Sequence, residues 1–239
     1  LYLKTDVLLL ADVFENFRKT CLATYGLDPA HYVSAPSFTW DAMLKYTEVQ
    51  VDLISDLEMH KLIERGLRGG ICMISKRYAK ANNPLLSDYD SNKPTSYVIY
   101  LDANNLYGWA MSQSLPIGGF KWLQEHEWPI DPTQVDEAGA VGYIYEVDLE
   151  YPRELHDRDN DYPMAVEKMA IKASQLSSNQ HALLDIYGMK DAENPKLIPN
   201  LFNKNHYVLQ SVLLKFHITD GMRLSKIHRD YSLISPSGL

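Results

Sequence analysis

The spacing of apolar residues predicts three helices at the start of the chain. From residue 3 to residue 25 apolar side chains recur every three or four positions, which is the period of one helix face. Residues 37–46 predict a second helix and residues 53–65 a third, with Asp52 or Ser55 as the N-cap of the third. This part of the chain is expected to be helical.

Further along, the pattern changes to that of strands. Residues 97–101 form a short apolar run that predicts a buried strand. Residues 142–151 alternate between apolar and polar side chains, which predicts a half-buried strand with Glu146, Asp148 and Glu150 on its solvent face. The pattern also predicts a loop over residues 81–95 and an acidic loop over residues 157–161. It predicts a strand–turn–strand over residues 197–208, a helix over residues 212–219 and a final strand over residues 222–231. We therefore expect an α+β fold in which residues 97–101 pair with residues 142–151 in a mixed or antiparallel sheet.

Composition and charge narrow the classes of function. The chain has 239 residues, a net charge of −8 and two cysteines, neither of which has a partner at zinc-ligand spacing. No apolar run approaches the length of a membrane span, so no membrane partner is expected. Residues 61–80 carry six Lys or Arg and one Glu, whereas residues 131–161 carry ten Asp or Glu and two Arg. The first segment is suited to meeting phosphate and the second to avoiding it.

The two cysteines favour an intracellular protein with reduced thiols. The sequence does not choose among a nuclear, a viral and an organellar location.

The stretch that carries the most chemistry follows the predicted strand over residues 97–101. Asp102 comes directly after this apolar run, and Tyr107 comes five residues later. A carboxylate at the end of a buried strand is costly unless something positive meets it, and a divalent metal ion would do so. Phosphoryl transfer by two metal ions requires such carboxylates. The alternative is a capping role, in which Asp102 accepts hydrogen bonds from backbone N–H groups.

The run Asp-Ala-Asn-Asn-Leu-Tyr-Gly that begins at Asp102 resembles motif A of family B DNA polymerases, D-x-x-S-L-Y-P. The resemblance implies that Asp102 binds the two catalytic Mg²⁺ ions and that Tyr107 excludes ribonucleotides. It also implies that Asn105, Leu106 and Tyr107 contact the incoming deoxynucleoside triphosphate. Asn105 and Gly108 stand in place of the family's Ser and Pro, which puts the turn geometry in question.

The continuation over residues 111–119 resembles the protein-primed branch of the family, especially polymerases of self-synthesising transposons and linear plasmids. This resemblance implies a terminal protein as a further partner, besides primer-template DNA.

An arginine with paired glycines, followed by a basic cluster, stands about thirty residues ahead of Asp102. Paired glycines let the backbone approach a ligand closely, and an arginine can meet phosphate, although a simple helix end or a solvated strand edge would have the same composition. The arginine and glycines are similar to the family's Y-x-G-G motif, with Leu67 in place of the Tyr. The DNA contacts that we expect are Arg68, Gly69, Gly70, Lys76, Arg77 and Lys80.

Tyr2 and Asp6 are four residues apart and share one face of the first predicted helix. Placed ahead of the other two motifs, they resemble the third exonuclease motif of the same family. The resemblance implies a 3′–5′ proofreading exonuclease in which Asp6 binds metal and Tyr2 orients the attacking water. The other carboxylates of that site are expected before residue 1.

The resemblance divides the chain into three parts. Residues 1–66 are expected to be the end of an exonuclease domain, residues 67–95 a DNA-contacting linker, and residues 96–239 the start of a polymerase palm. The palm carries an insertion in the place where the family contacts its terminal protein. Because no second or third polymerase motif follows Asp102, we expect a DNA-directed DNA polymerase in the longer parent protein and no activity from this chain alone.

Two alternatives come from other classes of function. A transposon-derived piece without catalytic activity would act as a DNA- or protein-binding module. A metal-dependent nuclease would be built around Tyr2 and Asp6. Intact carboxylate motifs in the flanking reading frame would favour the polymerase over the module.

Overall fold

The computed structural model describes residues 2–76, 78–128, 131–136, 139–188 and 195–234. The chain divides into two compact units, residues 1–53 and residues 54–237. The third helix belongs to the second unit, so the structural boundary lies ahead of it. The resemblance placed a boundary after that helix, at residue 66.

The first unit is a pair of helices. α1 spans Tyr2–Tyr25 and α2 spans Ala35–Thr47, which confirms the first two predicted helices. α1 ends at Gly26, whose φ of 63° is a left-handed conformation that glycine adopts without strain. The buried core of this unit consists of Cys21, Phe38 and Ala42. Most apolar side chains of α1 ahead of Cys21 are exposed, so the core is small.

The second unit begins with α3, which spans Leu57–Gly66 and starts later than the sequence predicted. Its N-cap is Asp56, in place of Asp52 or Ser55. The Asp56 carboxylate accepts hydrogen bonds from two backbone N–H groups of the first turn, at 2.8 and 3.2 Å. It also accepts one of 2.7 Å from the indole N–H of Trp122. This carboxylate therefore ties the start of the helix to the sheet.

Within the described residues, the second unit is built on a four-stranded antiparallel sheet. Its strands are β1 (Gly118–Trp122), β2 (Val141–Glu150), β5 (Lys204–Gln210) and β6 (Arg223–Ile234). They lie in the order β1-β6-β2-β5. A smaller sheet pairs β3 (Glu167–Met169) with β4 (Lys196–Ile198). The unit also contains α4 (Leu106–Met111), α5 (His156–Asp159), α6 (Ser178–Tyr187) and α7 (Ser211–Thr219). A mixed helical and antiparallel structure confirms the predicted class at this level.

Both faces of the larger sheet are covered. One face packs with α7 around Tyr145, Val147 and Leu214, all fully buried. The other face packs with α3 around Leu62 and Tyr231. Successive side chains of a strand point to opposite faces. The residue of β2 between Tyr145 and Val147 is therefore directed toward α3.

The predicted strand over residues 97–101 is wrong. These residues form no strand, and their side chains are exposed. β2, the partner that the sequence suggested, pairs with β5 along one edge and with β6 along the other. Because both edges of β2 are occupied, it has no place for a further strand. An apolar composition does not by itself provide a hydrogen-bonding partner.

The strand–turn–strand predicted over residues 197–208 does contain two strands, but the turn expected at residues 203–205 and the pairing of the strands are wrong, because β5 already begins at Lys204. β4 pairs with β3, whereas β5 pairs with β2. The solvated acidic loop predicted over residues 157–161 is also wrong, because the segment begins within α5 and Asp159 is buried. Asp159 accepts a hydrogen bond of 2.7 Å from the Tyr151 hydroxyl, which explains how the carboxylate is accommodated.

Three predicted elements of the second unit are confirmed. The strands over residues 142–151 and 222–231 correspond to β2 and β6, and the helix over residues 212–219 corresponds to α7. In the described part of the chain, no helix is both long and apolar enough to span a bilayer.

Candidate functional site

Asp102 lies on an exposed, irregular segment that leads into α4. Asn105 has a left-handed backbone conformation, with φ 53°, and is the residue from which α4 begins. Leu106 and Tyr107 follow in the first turn of α4, and Tyr107 is 87% exposed. Asp102 and Tyr107 are therefore both open to a partner at the surface of the second unit.

Asn105 and Gly108 set the turn that follows Asp102. The side-chain amide of Asn105 lies so close to Gly108 that a Cβ atom at position 108 would overlap it. The backbone carbonyl of Asn105 accepts a hydrogen bond of 3.0 Å from Trp109. These are the two positions at which the sequence departs from the D-x-x-S-L-Y-P motif, and they contact each other. The Asn105 side chain thus fits beside residue 108 because that residue is glycine.

Neither of the predicted metal ligands, Asp102 and Asp6, belongs to a larger group of potential ligands among the described residues. Among the described residues, no group of three or more His, Cys, Asp or Glu side chains is placed to hold a metal ion. Asp102 offers a carboxylate of the kind that Mg²⁺ prefers. In the first unit, Tyr2 and Asp6 are exposed and share one face of α1. The predicted residues thus supply one carboxylate to the expected polymerase site, Asp102, and one to the expected exonuclease site, Asp6.

Arg68, an expected DNA contact, is bound into the fold. Its Nη1 donates hydrogen bonds to the carbonyl oxygens of Val208 at 2.6 Å and Gly66 at 3.1 Å. Its guanidinium lies over the ring of Tyr207, 3.8 Å from the centroid. Arg68 therefore holds the end of α3 against β5, and its contact with DNA stays a prediction.

The rest of the predicted DNA-binding segment is more accessible. Gly69 and Gly70 have open space where side chains would stand. Lys76 is exposed and lies 3.4 Å from Asp161, and Lys80 is exposed and pairs with Asp88. Arg77 lies outside the described residues. Exposed ion pairs are weak, so both lysines can still meet phosphate.

A second set of charged residues lies around a cleft of about 960 Å³ in the second unit. The cleft opens between α3, β3, β5 and β6, and its volume is that of a ligand site. The cationic side chains and the imidazole that line it include Lys61, Arg65, Arg68, Lys168, His206 and Arg229. The topology thus brings together positive charges from distant parts of the sequence.

Glu146 is a buried carboxylate that contacts three of these residues. Its side chain is 2% exposed, with Oε1 3.2 Å from Nη1 of Arg65 and 3.1 Å from Nδ1 of His206. Oε2 lies 2.8 Å from Nε of Arg229. Burial by itself raises the pKa of Glu146, but the charges of Arg229 and Arg65 outweigh it, so the pKa lies below its usual value.

The prediction that Glu146 faces solvent is therefore wrong. Alternation along β2 distinguishes the two faces of the strand, but it does not show whether the polar face is covered. Here α3 covers that face. Asp148 is half-buried on the same strand, and Glu150 at its end is exposed, as predicted.

Two irregularities in the sheet place His206 and His228 beside β2. The register of β2 shifts against both neighbouring strands at this point, as in β-bulges. His206 has a φ of 51°, and its backbone N–H donates a hydrogen bond of 2.8 Å to Asp148. Nε2 of His228 lies 2.8 Å from the same carboxylate, and the two imidazole rings stack with centroids 3.9 Å apart. The bulges thus turn His206 toward Glu146 and the cleft.

Sequence reasoning missed the cleft because its members lie on four separate elements. One signal was present in the sequence. The acidic residues Glu146 and Asp148 on one predicted strand match basic residues on the last predicted strand, where Arg229 pairs with Glu146 and Lys226 with Asp148. Opposite charges on paired strands favour one another.

Asp230 is a buried carboxylate of a different kind. It lies opposite Tyr145 in the β2–β6 pair, is 1% exposed, and has no hydrogen-bond partner for either side-chain oxygen within the described chain. Burial raises the pKa of Asp230 to about 7. Asp230 is thus partly protonated near neutral pH, whereas Glu146 keeps its charge because guanidinium groups contact it.

Comparison with protein families, with curated proteins and with solved structures found no match to this chain. The function must therefore be inferred from its own residues and their placement.

Proposed function

We propose that this chain is part of a family B DNA polymerase of the protein-primed type. The observation that carries the proposal is the placement of Asp102 and Tyr107, both exposed, on either side of the left-handed turn at Asn105. In the parent protein, deoxynucleotides would be transferred from deoxynucleoside triphosphates to the primer strand of a primer-template DNA, with release of pyrophosphate, and two Mg²⁺ ions would support the reaction.

Asp102 has the role of a metal ligand, and Tyr107 that of a gate against the ribose 2′-hydroxyl. An exposed carboxylate suits Mg²⁺, which keeps several waters and relies on one or two carboxylates together with substrate phosphates. Asn105 and Leu106 lie between the two and would border the incoming nucleotide. Because two-metal transfer needs more than one carboxylate, the isolated chain is expected neither to extend nor to degrade a primer.

The first unit contributes to proofreading in this proposal. Asp6 would bind a metal ion and Tyr2 would orient the attacking water, from one exposed face of α1. Between the motifs, the open backbone at Gly69 and Gly70 gives a DNA strand room to approach. The region after α4 would meet the priming terminal protein.

The experiment that tests the proposal is primer extension by a polypeptide that continues this chain through the remaining polymerase motifs. Asp102→Asn keeps the size of the side chain and removes its charge, so incorporation should be abolished while DNA binding is retained. Asp185→Asn, on the exposed surface of α6, is the matched control and should extend the primer normally. Near-normal incorporation by Asp102→Asn would reject the proposal.

A DNA-binding module without catalytic activity is the second candidate. The cationic cleft around Arg65 and Arg229 favours it, because a binding surface needs none of the residues near Asp102. A longer polypeptide that binds DNA through this cleft and shows no metal-dependent incorporation would select the module over the polymerase.

A further inference from the structure

We propose that the cleft between α3 and the larger sheet binds the phosphodiester backbone of a nucleic-acid strand. Asp102, Asn105 and Tyr107 do not line this cleft, so it is a site additional to the proposed polymerase centre. The choice of a nucleic acid as the polyanion rests on the proposed function. The preference for an anion follows from the cleft itself.

Positive charge reaches the cleft from several directions. Lys61 and Arg65 stand four residues apart on α3 and so share one helix face, Lys168 comes from β3, and Arg229 comes from β6. A strand that crosses the cleft would therefore meet cations on both sides.

The acidic residues that line the same cleft are in part neutralised. Glu58 lies 3.1 Å from Lys61, and Glu167 lies 2.9 Å from the amine of Lys204, whose side chain is fully buried. Burial lowers the pKa of Lys204, and Glu167 counteracts that effect. The remaining cations of the cleft are Arg65 and Arg229, which contact Glu146, together with Arg68 and Lys168. The remaining carboxylates are Glu146 and Glu64, which leaves an excess of positive charge at the cleft.

Glu146 fixes the two guanidinium groups without using all of their donors. Arg65 meets it through Nη1 and Arg229 through Nε, and a guanidinium carries five N–H donors. The side chains of Arg65 and Arg229 are 48% and 44% exposed, so their remaining N–H groups can reach a ligand. Guanidinium groups held in this way are suited to phosphate oxygens, which they bind through two parallel hydrogen bonds.

The backbone at His206 is unusual beside the cleft. Its φ of 51° is a left-handed conformation that residues other than glycine rarely adopt, and such residues cluster at functional sites. The conformation is held by the hydrogen bond from the His206 N–H to Asp148. Its imidazole, 59% exposed, is thereby placed at the wall of the cleft.

The size of the cleft favours a strand over a single phosphate ion. Its volume of about 960 Å³ is at the upper end of pockets that enclose a whole small ligand. Arg65 and Arg229 meet at Glu146, whereas Lys61 and Lys168 line the cleft from α3 and β3, so the cations extend beyond that one point. Successive phosphates of one strand would engage them in turn.

The test is fluorescence anisotropy of a labelled single-stranded oligothymidylate titrated with the 239-residue chain at low salt. The double variant Lys61→Gln with Lys168→Gln should bind at least fivefold more weakly, by an order-of-magnitude estimate for two lost phosphate contacts. The slope of log affinity against log salt should fall by about 1.4, because each contact on a single strand contributes about 0.7.

The matched control is the double variant Lys121→Gln with Arg223→Gln. It removes the same charge from ion pairs that do not line the cleft, with Glu127 and Glu154 respectively. It should keep the affinity and the salt slope of the unmodified chain. Equal weakening by the two double variants would overturn the proposal, because it would show a general effect of net charge.

A second variant tests the guanidinium that contacts Glu146. Arg229→Gln should weaken binding at least as much as the lysine pair, with circular dichroism to confirm the fold. If Arg229→Gln does not fold, the lysine pair decides, since neither lysine contacts Glu146.

Inorganic triphosphate serves as the competitor. Full displacement of the oligonucleotide at equal phosphate concentration would overturn the assignment to a strand, and weak displacement supports it.

The test of nucleic-acid binding in the cleft is separable from the test of the proposed polymerase activity. Cleft variants that bind like the unmodified chain would reject this inference and leave primer extension through Asp102 unaffected. A longer polypeptide that fails to incorporate nucleotides would reject the polymerase. If oligonucleotide binding still depends on Lys61 and Lys168, the inference about the cleft stands.

Discussion

Glu146 of β2 and Arg229 of β6 lie opposite one another, with Oε2 and Nε 2.8 Å apart and the carboxylate almost fully buried. Arg65 reaches the same carboxylate from α3. One buried charge therefore joins the helix to the sheet and orients two guanidinium groups at the cleft. The effect of the Glu146 carboxylate on stability and its effect on ligand binding at the cleft can be measured separately.

Glu146→Gln should destabilise the second unit by about 1–3 kcal/mol, since two guanidinium groups and an imidazole lose their charged partner. The arginines are half-exposed and can be rehydrated, which keeps the cost below that of a fully buried unpaired charge. Urea denaturation followed by tryptophan fluorescence measures the effect.

Glu150→Gln, at the exposed end of the same strand, is the control and should change stability by less than about 0.5 kcal/mol.

Because the pKa of Glu146 is lowered, the contribution of Glu146 to stability is present above the pKa of the unfolded carboxyl and is lost as the pH falls. The unmodified chain and Glu146→Gln should therefore converge in stability in acid. Equal effects of the two substitutions at neutral pH would contradict this account of Glu146.

Asp230→Asn should stabilise the protein at alkaline pH. With its pKa raised to about 7, folding disfavours the charged form of Asp230. The resulting penalty begins near the unfolded pKa of about 4 and is complete above about pH 7, where it reaches on the order of 4 kcal/mol. Below about pH 4 both states hold the proton, so the variant should differ little there.

Urea denaturation at a series of pH values measures the difference between Asp230→Asn and the unmodified chain. Asp185→Asn, which removes an exposed carboxylate, should follow the unmodified chain throughout. A stability difference for Asp230→Asn that does not grow with pH would show that Asp230 has a charged partner in the folded protein.

Arg68→Ala should destabilise the contact between α3 and β5 by about 1–3 kcal/mol, because it removes the hydrogen bond to Val208 and the packing on Tyr207. Arg68→Lys should also be destabilising, since an ammonium group cannot reproduce the planar stacking. Lys76→Ala, in the exposed part of the same segment, is the control and should leave stability unchanged. A neutral result for Arg68→Ala would contradict the structural role of Arg68.

The parts of the fold that local signals determine could be predicted from the sequence. α1 and α2 follow from apolar spacing, and Gly26 after α1 is a residue type that commonly ends a helix. β2 and β6 follow from alternation along each strand. Asp102 and Tyr107 also rest on a short local motif, but the role that the motif implies for them stays a prediction.

The parts that depend on distant partners could not be predicted in this way. Residues 97–101 have the composition of a buried strand, but β5 and β6 occupy the edges that they would need. Glu146 has the periodicity of a surface residue, but Arg65, 81 positions away, covers it. The cleft combines α3, β3, β5 and β6, so its charge pattern exists only in the folded chain.

Ribonucleotide discrimination tests the central claim, that Asp102 and Tyr107 form the motif A of a DNA polymerase, most directly. In a polypeptide that continues this chain through the remaining polymerase motifs, the preference for deoxynucleotides over ribonucleotides is measured for Tyr107→Val and for Tyr100→Val. Both tyrosines are exposed, at 87% and 93%, so the second is a matched control. Tyr107→Val should reduce the preference by about 10- to 200-fold, the range for a small steric difference, and Tyr100→Val should not change it. A Tyr107→Val protein that incorporates deoxynucleotides and still rejects ribonucleotides as strongly as the unmodified protein would contradict the claim.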